Sequence, residues 1–558
     1  YNYRMPKSDI LEELRKKEEE DLARIMASHR GLTYLDLSRI TIDLDSLKIL
    51  PEATARDHSM AVIQSVGKKL QVAVTNPERS GVSEVLENLK RNQYEIQLFL
   101  ISPTSLGKAL DKYKEIPRFE EIKAGIIEIS GTKMVSFETV SKSLAKLKEA
   151  VDIKTQEKTA KKASDALELI LAGALGVDAS DIHIEPTEGG SKIRFRIDGV
   201  LQDLTTIPLP LYQLILSRIK LISEIKLNIH DKPQDGRFTV RVKEDIEVRT
   251  SILPGPYGES VVLRLLLPKT IAITFEALGM QPPLLKIIEN ELQKPNGMIL
   301  NTGPTGSGKT TTLYGFLKKI ASSAVKIITI EDPIEYHLPN LTQTQVDRSK
   351  GYDFSNGLRS ILRQDPDIIL VGEIRDLETA EIAMHAALTG HLVFSTLHTN
   401  DAAGTIPRLI DLGVKTNIIS PALNLVIAQR LVRSLCKLCK KEKIPSGEEK
   451  KIILQNLDAM PPAYKKIRHQ PADMKSFKLW IAVGCGECNF TGFKGRIGIF
   501  ESFLVDDEME RLIIKNPPQA DIEAAAKRQG MLTMYQDGIL KTLDGLTSFE
   551  ELNRVVSA

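Results

Sequence analysis

Gly303-Pro304-Thr305-Gly306-Ser307-Gly308-Lys309-Thr310 is the stretch from which the rest of the chain can be read. Its spacing is G-x-x-x-x-G-K-[ST], the pattern of a phosphate-cradling loop. Met298-Ile299-Leu300, bounded by Pro295-Asn296-Gly297, reads as a buried strand ahead of it, and Thr311 to Ile320 reads as a helix behind it. In that setting the glycines let successive backbone N–H groups curl around an oxyanion, and the helix N-terminus adds partial positive charge. Gly303 to Thr311 are the candidate nucleotide-binding residues. Lys309 is placed to reach the terminal phosphates of ATP, and the Thr310 hydroxyl to hold Mg²⁺.

Length and composition set bounds around this loop. At 558 residues the chain exceeds one core, and about three to four domains are expected. With 42% hydrophobic and 27% charged residues it has a globular composition, and a net charge of +2 gives no bulk reason to expect nucleic acid as the main partner. No apolar run is long enough to span a bilayer, and no secretory signal opens the chain, so a cytosolic protein is expected. Residues 1–115 read as a small N-terminal α/β domain for docking or regulation, without a catalytic constellation. Residues 116–160, rich in lysine and serine, read as a linker.

Residues 161–270 read as an α+β domain. Asp181 to Glu185 and Ile193 to Ile197 alternate with period two, which puts Arg194 and Arg196 on one face and Ile193, Phe195 and Ile197 on the other. Further strands carry Arg237, Arg249 and Arg264. Arginines on a sheet are usually solvated, but phosphoryl transfer rewards guanidinium groups brought in from outside the loop.

Residues 271–430 hold the loop and three more apolar strands, each delivering polar groups at its carboxyl end, where open α/β sheets bind ligands. One ends in Glu331-Asp332-Pro333-Ile334-Glu335, the next in Gly372-Glu373, the third in Leu397-His398-Thr399. The usual metal-supporting aspartate position is Gly372 here, so Glu373 is expected to act on Mg²⁺ through water. Glu331, Asp332 and Glu335 are the candidate bases. Of His391 and His398, the latter lies at a strand's carboxyl end and is the better candidate for contacting nucleotide.

All four cysteines lie in two C-x-x-C pairs, Cys436/Cys439 and Cys485/Cys488. Matched pairs at this spacing suit a closed tetrahedral Zn²⁺ site, which defines a zinc-binding subdomain over 431–500. A helical segment, 501–558, follows.

These residues resemble a known family, the secretion and pilus-assembly ATPases of type II secretion and type IV pili (PilB/GspE-type). Gly303 to Thr310 matches its Walker A box, Glu331 to Glu335 its aspartate box, Leu370 to Glu373 its Walker B box, and Thr389 to Thr399 its histidine box. Ser180 to Pro186 and Arg194 to Gly199 are similar to the domain before its motor core. The resemblance implies a RecA-like P-loop NTPase core preceded by a PAS-like α+β domain. It also implies a homohexamer in the cytoplasm, peripheral at the inner face of the membrane, working on an inner-membrane platform protein and a cytoplasmic pilus-assembly adaptor. Glu335 becomes the first choice for directing water and Glu331 the second. Arg194, Arg196, Arg237, Arg249 and Arg264 are expected to reach the phosphates, from a neighbouring subunit in some cases. The tetracysteine insertion is typical of assembly rather than retraction ATPases. Cyclic-dinucleotide binding by the first domain would call for R-L-G-x-x-L repeats, which do not occur. The competing readings are a DNA-translocating or DNA-uptake ring NTPase and a nucleotide sensor without turnover. A single tryptophan, with no basic–aromatic interleaving, weighs against the first. The full set of catalytic groups weighs against the second.

Overall fold

A computed structural model describes residues 7–556 apart from 38–39, 41, 48, 67, 92–93, 114–124, 130–142, 155–159, 243, 268–273 and 468–476. The chain divides into two compact units, Tyr1–Ile122 and Lys123–Ala558. The first is built on a four-stranded sheet in the order β1-β4-β3-β2, from β1 (Thr33–Tyr34), β2 (Met60–Val66), β3 (Lys69–Val74) and β4 (Glu95–Leu100). β3 and β4 are parallel, so the chain needs a crossover between them, and the helix Val82–Arg91 supplies it. The helix Pro103–Lys112 follows, its first turn capped by the Ser102 hydroxyl, which accepts the Ser105 N–H at 2.9 Å.

The second unit contains two seven-stranded sheets. One has the order β5-β9-β10-β11-β6-β7-β8 and is antiparallel apart from the β5–β9 pair. Its strands are β5 (Ile126–Glu128), β6 (Asp181–Thr187), β7 (Gly190–Ile197), β8 (Val200–Ile207), β9 (Gln234–Arg241), β10 (Asp245–Gly255) and β11 (Gly258–Leu265). Period-two alternation sorts β7 as its residues require: Ile193, Phe195 and Ile197 are buried, Arg194 and Arg196 half-buried on the other face. Helices Ala160–Gly176 and Leu209–Ile222 pack together behind it.

The segment read as a linker is partly built into this unit. β5 joins the sheet through β9, and the helix Leu144–Lys154 buries Leu147 and Val151 against its neighbours. Lysines conceal the pattern: one apolar pair four residues apart seats the helix, and Leu147 fills the space beside Gly173. Residues 116–124, 130–142 and 155–159 of that reading lie outside the described residues.

The second sheet has the order β14-β13-β15-β16-β12-β17-β20 and is parallel until β20, which runs antiparallel to β17. It comprises β12 (Gly297–Thr302), β13 (Ile327–Glu331), β14 (Thr342–Gln345), β15 (Ile368–Val371), β16 (Leu392–Leu397), β17 (Leu423–Leu435) and β20 (Phe493–Leu504). β12, β13, β15 and β16 are buried at every residue, as expected of parallel strands covered by helices on both faces. The cysteine pairs lie on an excursion between β17 and β20 that also carries the small ribbon β18 (Lys441–Lys443) and β19 (Leu479–Ile481).

β20 crosses the 500/501 boundary expected from the sequence, because glycines at 495 and 498 break its alternation and hide it. The helical tail is bonded into the same sheet. Asp537 accepts the Phe500 N–H at 2.9 Å, and Glu551 accepts from the backbone and guanidinium of Arg433 at 3.0 and 2.7 Å.

Candidate nucleotide site

β12 ends at Thr302, the loop turns over 303–308, and the helix Lys309–Ile320 begins at once. Two of its glycines are required by space as well as conformation. Gly303 has φ +149° and a Cβ there would lie 2.5 Å from the Gln429 carbonyl oxygen; Gly308 has φ +89° with Gln429 Nε2 at 2.9 Å. Gln429 is the hidden support of the loop. Buried on β17, it accepts from Asn301 Nδ2 at 3.1 Å and the Thr312 hydroxyl at 2.8 Å. Sequence reasoning passed it over. The signal was a lone amide ending the run Leu425 to Ala428, which must find partners once buried.

Lys309 Nζ donates to the carbonyls of Gly303 and Pro304 at 2.7 and 3.2 Å. Burial pulls its pKa down to about 8, against the pull of Glu373 and Glu335 the other way. The cleft around it, about 500 Å³, is lined by the loop, Glu331, Asp332, Glu335, Glu373 and His398, with Arg249 and Arg264 from the other sheet. Glu335 is hydrogen-bonded to the Thr310 hydroxyl; burial raises its pKa, partly offset by Arg249 and Arg264 and reinforced by Glu331. Arg249 also donates to the Ile334 carbonyl.

Glu331 is differently employed. One oxygen accepts from the Tyr314 hydroxyl, the other from the Thr329 hydroxyl at 2.6 Å and Gln343 Nε2 at 3.1 Å. It anchors the loop helix to β13 and β14, whereas Glu335 keeps its carboxylate at the cleft. Asp332 is exposed and lies 3.8 Å from Arg348.

Gly372 has a steric explanation. A Cβ there would stand 3.2 Å from the Ile330 carbonyl oxygen and 3.3 Å from the Glu331 Cα, so the acid moves on to Glu373. Glu373 is paired with Arg375 and lies 3.3 Å from His398 Nε2. Thr310 and Glu373 line one cleft and offer the hydroxyl and carboxylate oxygens that Mg²⁺ takes. His391 instead sits 3.0 Å from the Ala386 carbonyl, a local tie.

Of the five candidate arginines, two line the cleft of their own chain. Arg249 and Arg264 do, and Arg264 is also fixed by Asp181 at 2.9 Å. Arg194 and Arg196 are outside it, held by Glu185 at 2.5 Å and Asp181 at 3.3 Å. Arg237 is exposed beside Arg249 in the β9–β10 ladder. The reason is register: the cleft takes the β10–β11 pair, where Arg249 faces Arg264. Arg375, Leu431 and Arg496 line the cleft too and were not singled out from the sequence.

The cysteines form a second centre. All four sulfurs lie within 4.8 Å of one another, with Cys436–Cys485 at 3.9 Å and Cys439–Cys488 and Cys485–Cys488 at 3.8 Å. Four thiolates about 2.3 Å from a tetrahedral Zn²⁺ would stand about 3.8 Å apart, so the donor set and spacing fit zinc. The Cys488 sulfur accepts N–H groups from Cys485 and Gly492 at 3.1 and 3.3 Å, bonds that favour a thiolate. Burial opposes its ionisation, but these bonds and its sulfur neighbours bring its pKa to about 7.

Residues 156–554 match the family model described as type II/IV secretion system protein, and residues 30–119 match the MshEN domain. The chain is 35% identical over 542 residues to the type IV pilus assembly ATPase PilB of Myxococcus xanthus, covering 96% of this chain and 91% of that one. It is also 35% identical over 546 residues to PilB of Pseudomonas aeruginosa, covering 96% and 90%. With the type II secretion system protein E of Klebsiella pneumoniae it shares 44% identity over 387 residues, 69% of this chain and 74% of that one.

Proposed function

The chain belongs to the type II/IV secretion system protein family, and from that premise we propose how its cleft turns ATP over and what the turnover drives. It is an ATP-hydrolysing enzyme with an α/β fold around a RecA-like core, powering pilus assembly or secretion. The observation that carries the mechanism is the placement of Glu335 beside Thr310 and under Arg249 and Arg264 in the cleft of the phosphate loop.

In this reading the loop N–H groups and Lys309 grip the β- and γ-phosphates. Thr310 and Glu373 would hold a Mg²⁺ ion, which would supply positive charge against those oxygens. Glu335 orients the attacking water and takes its proton, aided by a pKa raised toward neutrality. Arg249 and Arg264 balance the charge that develops on the transferred group. His398, touching Glu373 at the end of β16, would relay the state of the nucleotide from that carboxylate to the strand. Cys436, Cys439, Cys485 and Cys488 would hold a structural Zn²⁺ that would fasten the excursion between β17 and β20, away from the chemistry.

Of the two outlets, pilus assembly is favoured, because the pilus relatives match through the first unit while the type II secretion relative matches 69% of the chain. We further infer a homohexamer at the inner face of the membrane, acting on a platform protein, with Arg194, Arg196 and Arg237 turned toward a neighbouring subunit. No helix among the described residues is long and apolar enough to cross a membrane. The test is a deletion strain complemented with wild-type or Lys309→Ala protein. Surface pili restored by wild type alone support the reading. Unaltered pili with lost protein export would replace it by secretion, and equal rescue by both proteins would end it.

A further inference from the structure

β20 brings a cation to the phosphate-loop cleft that the mechanism above does not use. Arg496 lines that cleft with Leu431. The other arginines there are committed: Arg249 to Glu247 and the Ile334 carbonyl, Arg264 to Asp181, Arg375 to Glu373. Among the described residues no carboxylate holds Arg496, and it is exposed.

Its place in the sheet makes that lack of a partner informative. Arg496 stands directly opposite Arg433, and like charges so placed repel. Glu551 accepts one bond from the Arg433 guanidinium and one from its backbone N–H, and it is shared with Arg554, whereas among the described residues no carboxylate pairs with Arg496. Alternation along β17 puts Gln429, Leu431 and Arg433 on one face. Gln429 carries the loop on that face and Leu431 lies beside Gly308, so Arg496 belongs to the row leading from the loop. Its backbone is fixed, since the Gly495 N–H donates to the Asp198 carboxylate at 2.9 Å.

Strand order says which end of a nucleotide this row meets. β13, β15 and β16, which bear Glu331, Glu373 and His398 at their ends, lie on one side of β12, and β17 and β20 lie on the other. Glu335 and Glu373, the groups assigned to water and metal, thus follow strands on one flank of the loop within this sheet, and Arg496 stands on the opposite flank.

We propose that Arg496 binds the α-phosphate of the nucleotide from within its own chain. The site is a ground-state contact, common to ATP and ADP and independent of the group being transferred. It rests on the reading of the cleft as an ATPase site.

The test uses the full chain, wild type against Arg496→Gln and Arg496→Lys, with steady-state ATP turnover and calorimetric ADP affinity. A charge-assisted contact to phosphate is worth roughly tenfold in affinity. Arg496→Gln should raise the KM for ATP and the Kd for ADP together by about that factor, with kcat held, and Arg496→Lys should recover much of the loss. Unchanged KM and Kd in Arg496→Gln would overturn the proposal. So would a fall in kcat at constant KM, which would place the group on the transferred phosphate. Should Arg496→Gln fail to fold, Arg496→Ala takes its place, and ADP binding as tight as wild type in Arg496→Ala counts against the contact. A wild-type chain that binds ADP but does not hydrolyse ATP sinks the functional reading alone, and the ADP affinities still decide the role of Arg496.

Discussion

The Arg249 guanidinium donates to the Ile334 carbonyl across 2.5 Å, so a strand of one sheet grips the other one residue before Glu335. A carboxylate that must aim water is thereby held by a different layer of the molecule. Removing the grip should cost turnover more than binding. We expect Arg249→Ala to lower kcat on the order of 10²-fold with little change in nucleotide affinity, as for loss of one preorganised electrostatic group. Arg249→Lys, which keeps charge without the fork, should fall between. Equal kcat in all three proteins would show the contact to be incidental.

Glu335 is expected to set the acid limb of the rate. Burial raises its carboxyl above the usual range, and only the ionised form accepts a proton from water. Activity should therefore rise with pH through a value above that of an ordinary glutamate. Glu335→Gln should lower kcat at least about 10²-fold and abolish this limb while ATP still binds. Persistence of the limb in Glu335→Gln assigns it to another group.

Lys309 predicts a proton-linked affinity. Its ammonium is held down to about 8 by burial, and a bound polyphosphate favours the charged form and lifts the pKa again. Binding then takes up a proton above that pH. ADP affinity should be level at lower pH and fall by up to about tenfold per unit above it. Calorimetry in two buffers of different ionisation enthalpy measures the uptake directly. A flat profile into the alkaline range would contradict the shift.

The thiolate cluster predicts a metal-dependent excursion. Structural zinc sites contribute about 10–16 kcal/mol, comparable with the stability of a whole domain, about 5–15 kcal/mol. Purified protein should contain zinc, and Cys485→Ser should lose it. Limited proteolysis of that variant should cut first between Cys436 and Gly492, the stretch joining β17 to β20. Unaltered cleavage in verified zinc-free protein would show that the fold of this stretch does not need the ion.

Much of the chemistry was legible from local order. The glycine spacing at 303–308, the acids at strand ends and the paired cysteines are short-range patterns whose geometry follows from the backbone itself. Alternation likewise sorted β7 into a buried apolar face and an arginine face. What local order missed was hidden by composition. The helix Leu144–Lys154 lies in a lysine-rich stretch, and β20 is interrupted by glycine, so neither shows its period.

The sequence by itself determined which groups are available: a phosphate loop, four acids at the ends of apolar strands, a histidine, a set of arginines and four thiols. Tertiary structure decided which of them meet. Arg249 and Arg264 enter the cleft and Arg194 and Arg196 stay outside because of strand register in a sheet assembled from residues far apart in the chain. Glu331 is taken up by Tyr314 and Gln343, Gly372 is cleared by the backbone of β13, and Arg496 arrives on a strand almost two hundred residues after the loop. The reason is physical: a spacing constrains only neighbours along the chain, whereas burial, charge pairing and steric clearance depend on what the folded sheet places alongside.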